Sequence, residues 1–200
     1  MSNTKPWESE PDYAMFSAAG LTCVIRRSDG LGHLCGYVGV PASHPLYGVD
    51  RLDLVPAPDT WLTRTFDMNE HGVLDVFAFA LEQSAGEKVP QGFAPLNMLI
   101  GAHGGLTWSK RMHDHTGWWF GFDCGHAGDL QPQLVESLRL IGGDAQFALD
   151  HFVYRTFDYV RGECATLAQQ IADWTEHIPH IQAAKQAIAT AREVRLHADH

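Results

Sequence analysis

Six apolar residues near the C-terminus, Phe157, Val160, Cys164, Leu167, Ile171 and Trp174, follow one another at spacings of three, four, three, four and three. An α-helix turns once about every 3.6 residues, so this spacing predicts a single apolar stripe along roughly five turns. Arg161, Glu163, Gln169, Gln170 and Asp173 fall on the opposite, solvated side. A helix of this kind cannot keep its stripe in water. It has to lie on a sheet or on a partner helix, and the rest of the chain must supply that surface.

The upstream sequence reads as short strands. Leu21-Thr22-Cys23-Val24-Ile25 is β-branched and bounded by Gly20 and by Ser28-Asp29-Gly30, and His33 to Val40 is a second such run. Ser28 to Gly32 between them suits a hairpin turn. Gly105 to Ser109 and Gly117 to Cys124 read as another pair, joined by Lys110 to Thr116, and Leu96 to Ala102 as a further strand. Residues 1–18 are a polar lead-in with one turn of helix over Pro11 to Ser17. Residues 41–60 carry four prolines and form a long loop, a type that often serves function. Val73, Val76, Phe77, Ala80 and Leu81 have helical spacing. Beyond Pro179, Ile181, Ala184, Ile188, Ala191 and Arg195 mark a weaker stripe on a trailing helix, suited to peripheral packing or a homo-oligomer contact. The expected architecture is α+β: a small antiparallel sheet of four to six strands packed by the long C-terminal helix, with long loops. Residues 1–175 form one domain and 176–200 a C-terminal helical extension.

Charge narrows the range of partners. With 14 Lys and Arg against 24 Asp and Glu, the formal charge is -10. That argues against general nucleic-acid binding and a polybasic membrane surface, both of which work by neutralising phosphates. A small phosphorylated ligand in a locally basic pocket stays compatible with it, as does an acidic surface that occupies a basic site on another protein. Cys23, Cys35, Cys124 and Cys164 include no Cys-x-x-Cys pair and read as reduced thiols. No run approaches the roughly 18 apolar residues of a membrane span, and Met1 to Glu10 is polar. The expectation is a cytoplasmic protein.

Chemistry concentrates between positions 103 and 129, which hold four His, three Asp, three Trp and one Cys. Alternation along the second strand places Trp119, Gly121 and Asp123 on one face, and Trp118, Phe120, Phe122 and Cys124 on the other. Gly125 and Gly128 allow tight turns, so Asp123, His126 and Asp129 can converge at the strand end, joined by His103 from a preceding strand end. Imidazole and carboxylate are the ligand types that suit zinc, manganese or iron. His103, Asp123, His126 and Asp129 are therefore the candidate metal ligands. His103, Asp123 and His126 are also the candidate catalytic groups, since a neighbouring His or Asp can move the proton of an activated water. Two plainer readings stay open: the aspartates cap turns while the histidines staple loops, or the cluster works without metal in binding or acid–base chemistry. Cys124, on the apolar face and with no cationic neighbour, reads as core.

A second set of residues suits ligand contact. His44 lies between Tyr37 and Tyr47 in a Gly- and Pro-fixed loop, Trp108 offers a stacking face for a base, and Arg111 sits in a locally basic loop tip. No phosphate-binding glycine motif accompanies them.

The strings Cys35–Gly48 (CGYVGVPASHPLYG), His103–Ser109 (HGGLTWS), Trp118–Asp129 (WWFGFDCGHAGD) and Tyr154–Ile171 (YRTFDYVRGECATLAQQI) together resemble a family of phage and prophage hypothetical proteins. The resemblance runs from about Leu34 to Ile171. It implies a viral accessory protein in the cytoplasm of a bacterial host. Such proteins counter host defence by binding a defence protein, or by binding or destroying a nucleotide signal. The expected function is metal-assisted hydrolysis of a small substrate, a nucleotide or phosphodiester. The alternatives are a non-catalytic sponge for such a ligand and an acidic inhibitor of a host defence protein.

Overall fold

In a computed structural model, residues 5–57, 93–143 and 145–175 are described. The helices read from sequence over 73–81 and 181–196, and with them the proposed oligomer contact, lie outside the described residues. The elements in chain order are α1 (Pro6–Ser9), β1 (Tyr13–Ala18), β2 (Leu21–Arg27), β3 (Leu34–Val40), β4 (Leu54–Pro56), β5 (Phe93–Pro95), α2 (Leu96–Leu99), β6 (Trp108–Lys110), β7 (Trp118–Asp123), α3 (Pro132–Leu140), α4 (Ala145–His151) and α5 (Phe157–Ala172). A turn of 3-10 helix, Asp173–Thr175, closes the described chain.

Five strands form one antiparallel sheet in the order β1-β2-β3-β7-β6, and β4 pairs with β5 apart from it. Side chains alternate across the large sheet as the period of two demands. Cys23 and Ile25, Leu34 and Val38, and Trp118, Phe120 and Phe122 share the main core with Val160, Cys164, Leu167, Ile171 and Trp174. The stripe legible in the sequence is thus the face by which α5 covers the sheet. Gly36 makes the approach close: a Cβ there would overlap the Phe122 ring and lie 2.6 Å from the Cys164 Sγ. On the other face, Val24, Tyr37 and Trp119 pack beneath Met112. The loop carrying Met112 folds back over that face, held by an Arg26–Asp114 ion pair, by His115 stacked on Tyr13, and by the Thr116 carbonyl, which accepts from the Trp119 indole.

The proline-rich loop is tied down rather than free. His44 Nδ1 accepts from the Leu46 N–H at 3.1 Å, which leaves Nε2–H to donate to the Ile171 carbonyl at 3.2 Å. The Trp118 indole donates to the Val49 carbonyl, and Asp50 accepts from the buried Ser109 hydroxyl. His44 is thus engaged through both nitrogens as a staple between this loop and the end of α5.

Four segments differ from the sequence-based expectation: β6 is Trp108–Lys110 where Gly105 to Ser109 is expected, the 41–60 loop contains the short strand β4, and two more differ in type. The turn of helix expected over Pro11 to Ser17 is strand β1, because Phe16 and Ala18 alternate onto the core and the segment pairs with β2 along its whole length. Leu96 to Ala102 starts with the single helical turn α2, whose first N–H groups reach the carbonyls of Asp53 and Arg51. A short apolar run buried on all sides has no diagnostic period. Helices α3 and α4 form a small satellite core around Leu130, Val135, Ala145 and Ala148, with Trp7 and Tyr154 packed against it.

The β1–β2 hairpin turns through Ala19 (φ 48) and Gly20 (φ 75), which places both central residues in the left-handed region. Glycine adopts that backbone freely and alanine does not. Ala19→Gly is expected to stabilise the protein by about 0.5–1 kcal/mol; an unchanged or lower denaturation midpoint would count against a strained turn.

Burial pushes the His44 imidazole below its ordinary value of 6.5, against a smaller upward pull from its bond to Ile171, and burial does the same to His33. Between 6.5 and the lower folded values the unfolded chain binds more protons than the folded one. Stability is therefore complete above pH 6.5 and falls as the solution is acidified through that window. Urea denaturation at pH 7.5 and 5.5 should show this slope, reduced but not abolished in His44→Gln, since His33 retains its part. An identical slope in the variant would rule out His44 as a contributor.

Candidate functional site

The site forms where three segments meet at the end of β7. The first is the glycine-containing loop after α2, which carries His103. The second is the turn from Cys124 to Leu130, in which the Asp129 N–H bonds the His126 carbonyl at 2.9 Å. This turn is locked onto residue 153 by two backbone bonds, from Leu130 N–H to the Val153 carbonyl and from Val153 N–H to the Gly128 carbonyl. The third is the start of α5, where Thr156 Oγ1 accepts from the Tyr159 N–H and Glu10 Oε1 from the Phe157 N–H. These caps fix the register of the helix, and with it the positions of Arg155 and Tyr159.

Asp129 is the hub. Its side chain is only 2% exposed, yet both oxygens of the carboxylate have polar partners. Oδ2 lies 2.7 Å from His103 Nε2 and accepts the His126 backbone N–H at 3.1 Å; Oδ1 accepts from Arg155 Nε at 2.8 Å. Burial alone would raise the carboxyl, but the bonds from His103 and Arg155 outweigh it and hold Asp129 below the usual carboxylate range. The other ring nitrogen of His103, Nδ1, is 3.0 Å from the Tyr159 hydroxyl. The Arg155 guanidinium sits 5.0 Å from the centre of the Tyr159 ring. Burial, with Glu163 as a smaller cause, pushes that phenol upward, so it stays protonated near neutrality.

His126 completes the group. Its Nδ1 is buried and has no hydrogen-bond partner among the described residues; it lies 3.6 Å from Asp129 Oδ2 and 3.9 Å from Asp123 Oδ1. Gly104, at φ +67, allows this placement: a Cβ at that position would overlap the His126 ring. His103, His126 and Asp129 each offer one ligand atom, and these atoms all lie within 4.8 Å of one another. The group can hold a metal ion. The surroundings fit that use. The second nitrogen of His103 already has a hydroxyl partner that can donate or accept, Asp129 has a cation on its outer oxygen, and one imidazole nitrogen is left over and points inward.

Asp123, expected among the ligands, stands beside the group. Its Oδ1 accepts the Gly125 N–H at 3.0 Å, and its side chain is one-third exposed. Cys124 is buried, and burial pushes its thiol well up, as in an inert core cysteine. Tyr37, His44, Tyr47, Trp108 and Arg111 do not form one site, and of their rings Tyr37 and Trp108 are the pair in contact. Tyr37 and Trp108 meet edge to face at 6.3 Å on the second face of the sheet. Tyr47 lines a groove of about 650 Å³ with Met15, His115 and Trp119. His44 is the staple described above, and Arg111 is exposed on the folded-back loop.

Sequence reasoning missed Arg155, Tyr159 and His33. The first two lie at the α5 start, where only the apolar stripe was read. Tyr159 precedes Val160 and so occupies the flank of that stripe. His33 is buried against Gly125, with Nδ1 unpartnered among the described residues. In the sequence it marks only the start of a strand.

No protein-family model matches this chain, and no curated protein or solved structure matches it either.

Proposed function

We propose that the protein is a metal-assisted hydrolase of a small substrate, with one divalent ion held by His103, His126 and Asp129. The observation that carries this reading is the buried, unpartnered Nδ1 of His126 facing an ionised carboxylate that already holds a second imidazole. A buried polar atom without a partner costs about 1–3 kcal/mol, and coordination removes that cost. Two imidazoles and one carboxylate suit zinc, manganese or iron, and leave positions open for water and substrate. The ion supplies Lewis acidity toward both.

The chain's own groups do the rest. Tyr159 orients the His103 ring, and its hydroxyl serves either tautomer. Arg155 fixes the second oxygen of Asp129 and so its orientation. Asp123, next to His126 and partly open to solvent, takes the proton from the attacking water. On the resemblance to phage and prophage proteins, the reading extends to a viral accessory enzyme that removes a small nucleotide signal of the host.

The test is elemental analysis of protein purified without nickel resin or chelator. About one zinc, manganese or iron per chain is expected, lost in Asp129→Asn and in Gly104→Ala while the far-ultraviolet circular dichroism keeps its native shape. Tyr159→Phe should retain the site but weaken metal affinity about 10- to 100-fold. Wild-type protein that carries no metal and takes up none on titration with zinc, manganese or ferrous ion would overturn the reading. The cluster would then be a hydrogen-bonded scaffold around Asp129.

A further inference from the structure

We infer that the substrate of this centre carries a phosphoryl group and that Arg155 grips it. The inference rests on the metal-centre reading above and deepens it. It comes from the way one carboxylate is shared. Asp129 turns Oδ2 toward the two imidazoles and Oδ1 toward the Arg155 Nε, so the metal seat and the guanidinium flank the same group.

Arg155 spends only Nε on Asp129. Its two terminal amino groups bond no other described residue and are not buried, and the side chain is 29% exposed. A guanidinium whose only role was to neutralise Asp129 could use its terminal nitrogens in a two-point contact. Here the single bond from Nε leaves the fork free of partners among the described residues. The guanidinium is also held in place, by Asp129 on one edge and the Tyr159 ring at 5.0 Å. A fork that is already ordered loses little further freedom on binding.

Charge points the same way. The chain carries -10 overall, a poor surface for an anion. At this one place a divalent ion, once bound, would together with Arg155 outweigh the carboxylates of Asp129 and Asp123. A neutral substrate makes no use of the free fork. A phosphoryl group has oxygens for the ion and for both arms of the fork at once, which is the two-point geometry guanidinium groups favour. In the hydrolysis, the water oxygen bonds to phosphorus and the ester P–O bond breaks. The proton of the water passes to Asp123, and the leaving oxygen takes one from solvent.

The experiment is calorimetric titration of the full chain, loaded with zinc, with inorganic phosphate, and with acetate in a parallel series. The zinc-to-chain ratio is measured on the same samples. Wild type should bind phosphate at least tenfold more tightly than acetate. Arg155→Gln should lose tenfold or more in phosphate affinity with the zinc ratio unchanged, and Arg155→Lys should recover part of the loss. Phosphate affinity unchanged in Arg155→Gln, or acetate bound as tightly as phosphate, would overturn the inference and leave the metal centre standing. Loss of zinc from both Arg155 variants would make Arg155 a positioning residue for Asp129, and the inference would fall. A wild-type chain that takes up no zinc, manganese or ferrous ion removes the metal centre itself, and the phosphoryl assignment with it.

Discussion

The close seating of α5 on β3 depends on the missing side chain of Gly36, whose space is taken by the Phe122 ring and the Cys164 thiol. Interiors pack near crystal density, so a single methyl at this point would have to push the helix or the neighbouring strand away. The stripe of α5, the inward face of three strands and the tied-down proline-rich loop all close around that contact. The N-terminus of the helix is fixed separately, by Glu10 and Thr156. Together these contacts bring the first turn of α5, with Arg155 just before it and Tyr159 within it, to the end of β7.

At that end the structure accommodates a buried charge. An isolated carboxylate as enclosed as Asp129 would take up a proton rather than stay ionised. Asp129 stays ionised because an imidazole, a guanidinium and a backbone N–H converge on it from three segments. Such a network is costly when one member is missing. Among the described residues the unpartnered nitrogen of His126 is the exception within it, and it leaves the cluster able to hold an ion.

Much of the architecture follows from local pattern. The period of 3.6 in α5 and the β-branched runs of β2 and β3 are properties of consecutive residues, and they were legible. The strand β1 was not. Tyr13 to Ala18 has weak alternation, and its conformation follows from pairing with β2. The short α2 has no legible signal for a related reason, since burial of Leu96, Asn97 and Met98 in succession erases the period. His44 shows the limit for single residues. A histidine between Ser and Pro in a loop gives no sign that a helix C-terminus will come to meet it, yet both of its nitrogens are used there.

The sequence by itself determined the elements whose signal is periodic, and it determined the chemical inventory of the site: imidazoles and carboxylates gathered around two glycine-rich turns. It could not decide which of them meet. His103 and Asp129 are 26 positions apart, and His103 and Tyr159 are 56 apart. Contacts over such separations are set by strand register and by the seating of α5, which no local pattern encodes. That is why Asp123, adjacent in sequence to the cluster, ends beside the three ligand atoms. It is also why Arg155, remote in sequence and silent in the pattern, ends against the carboxylate at their centre.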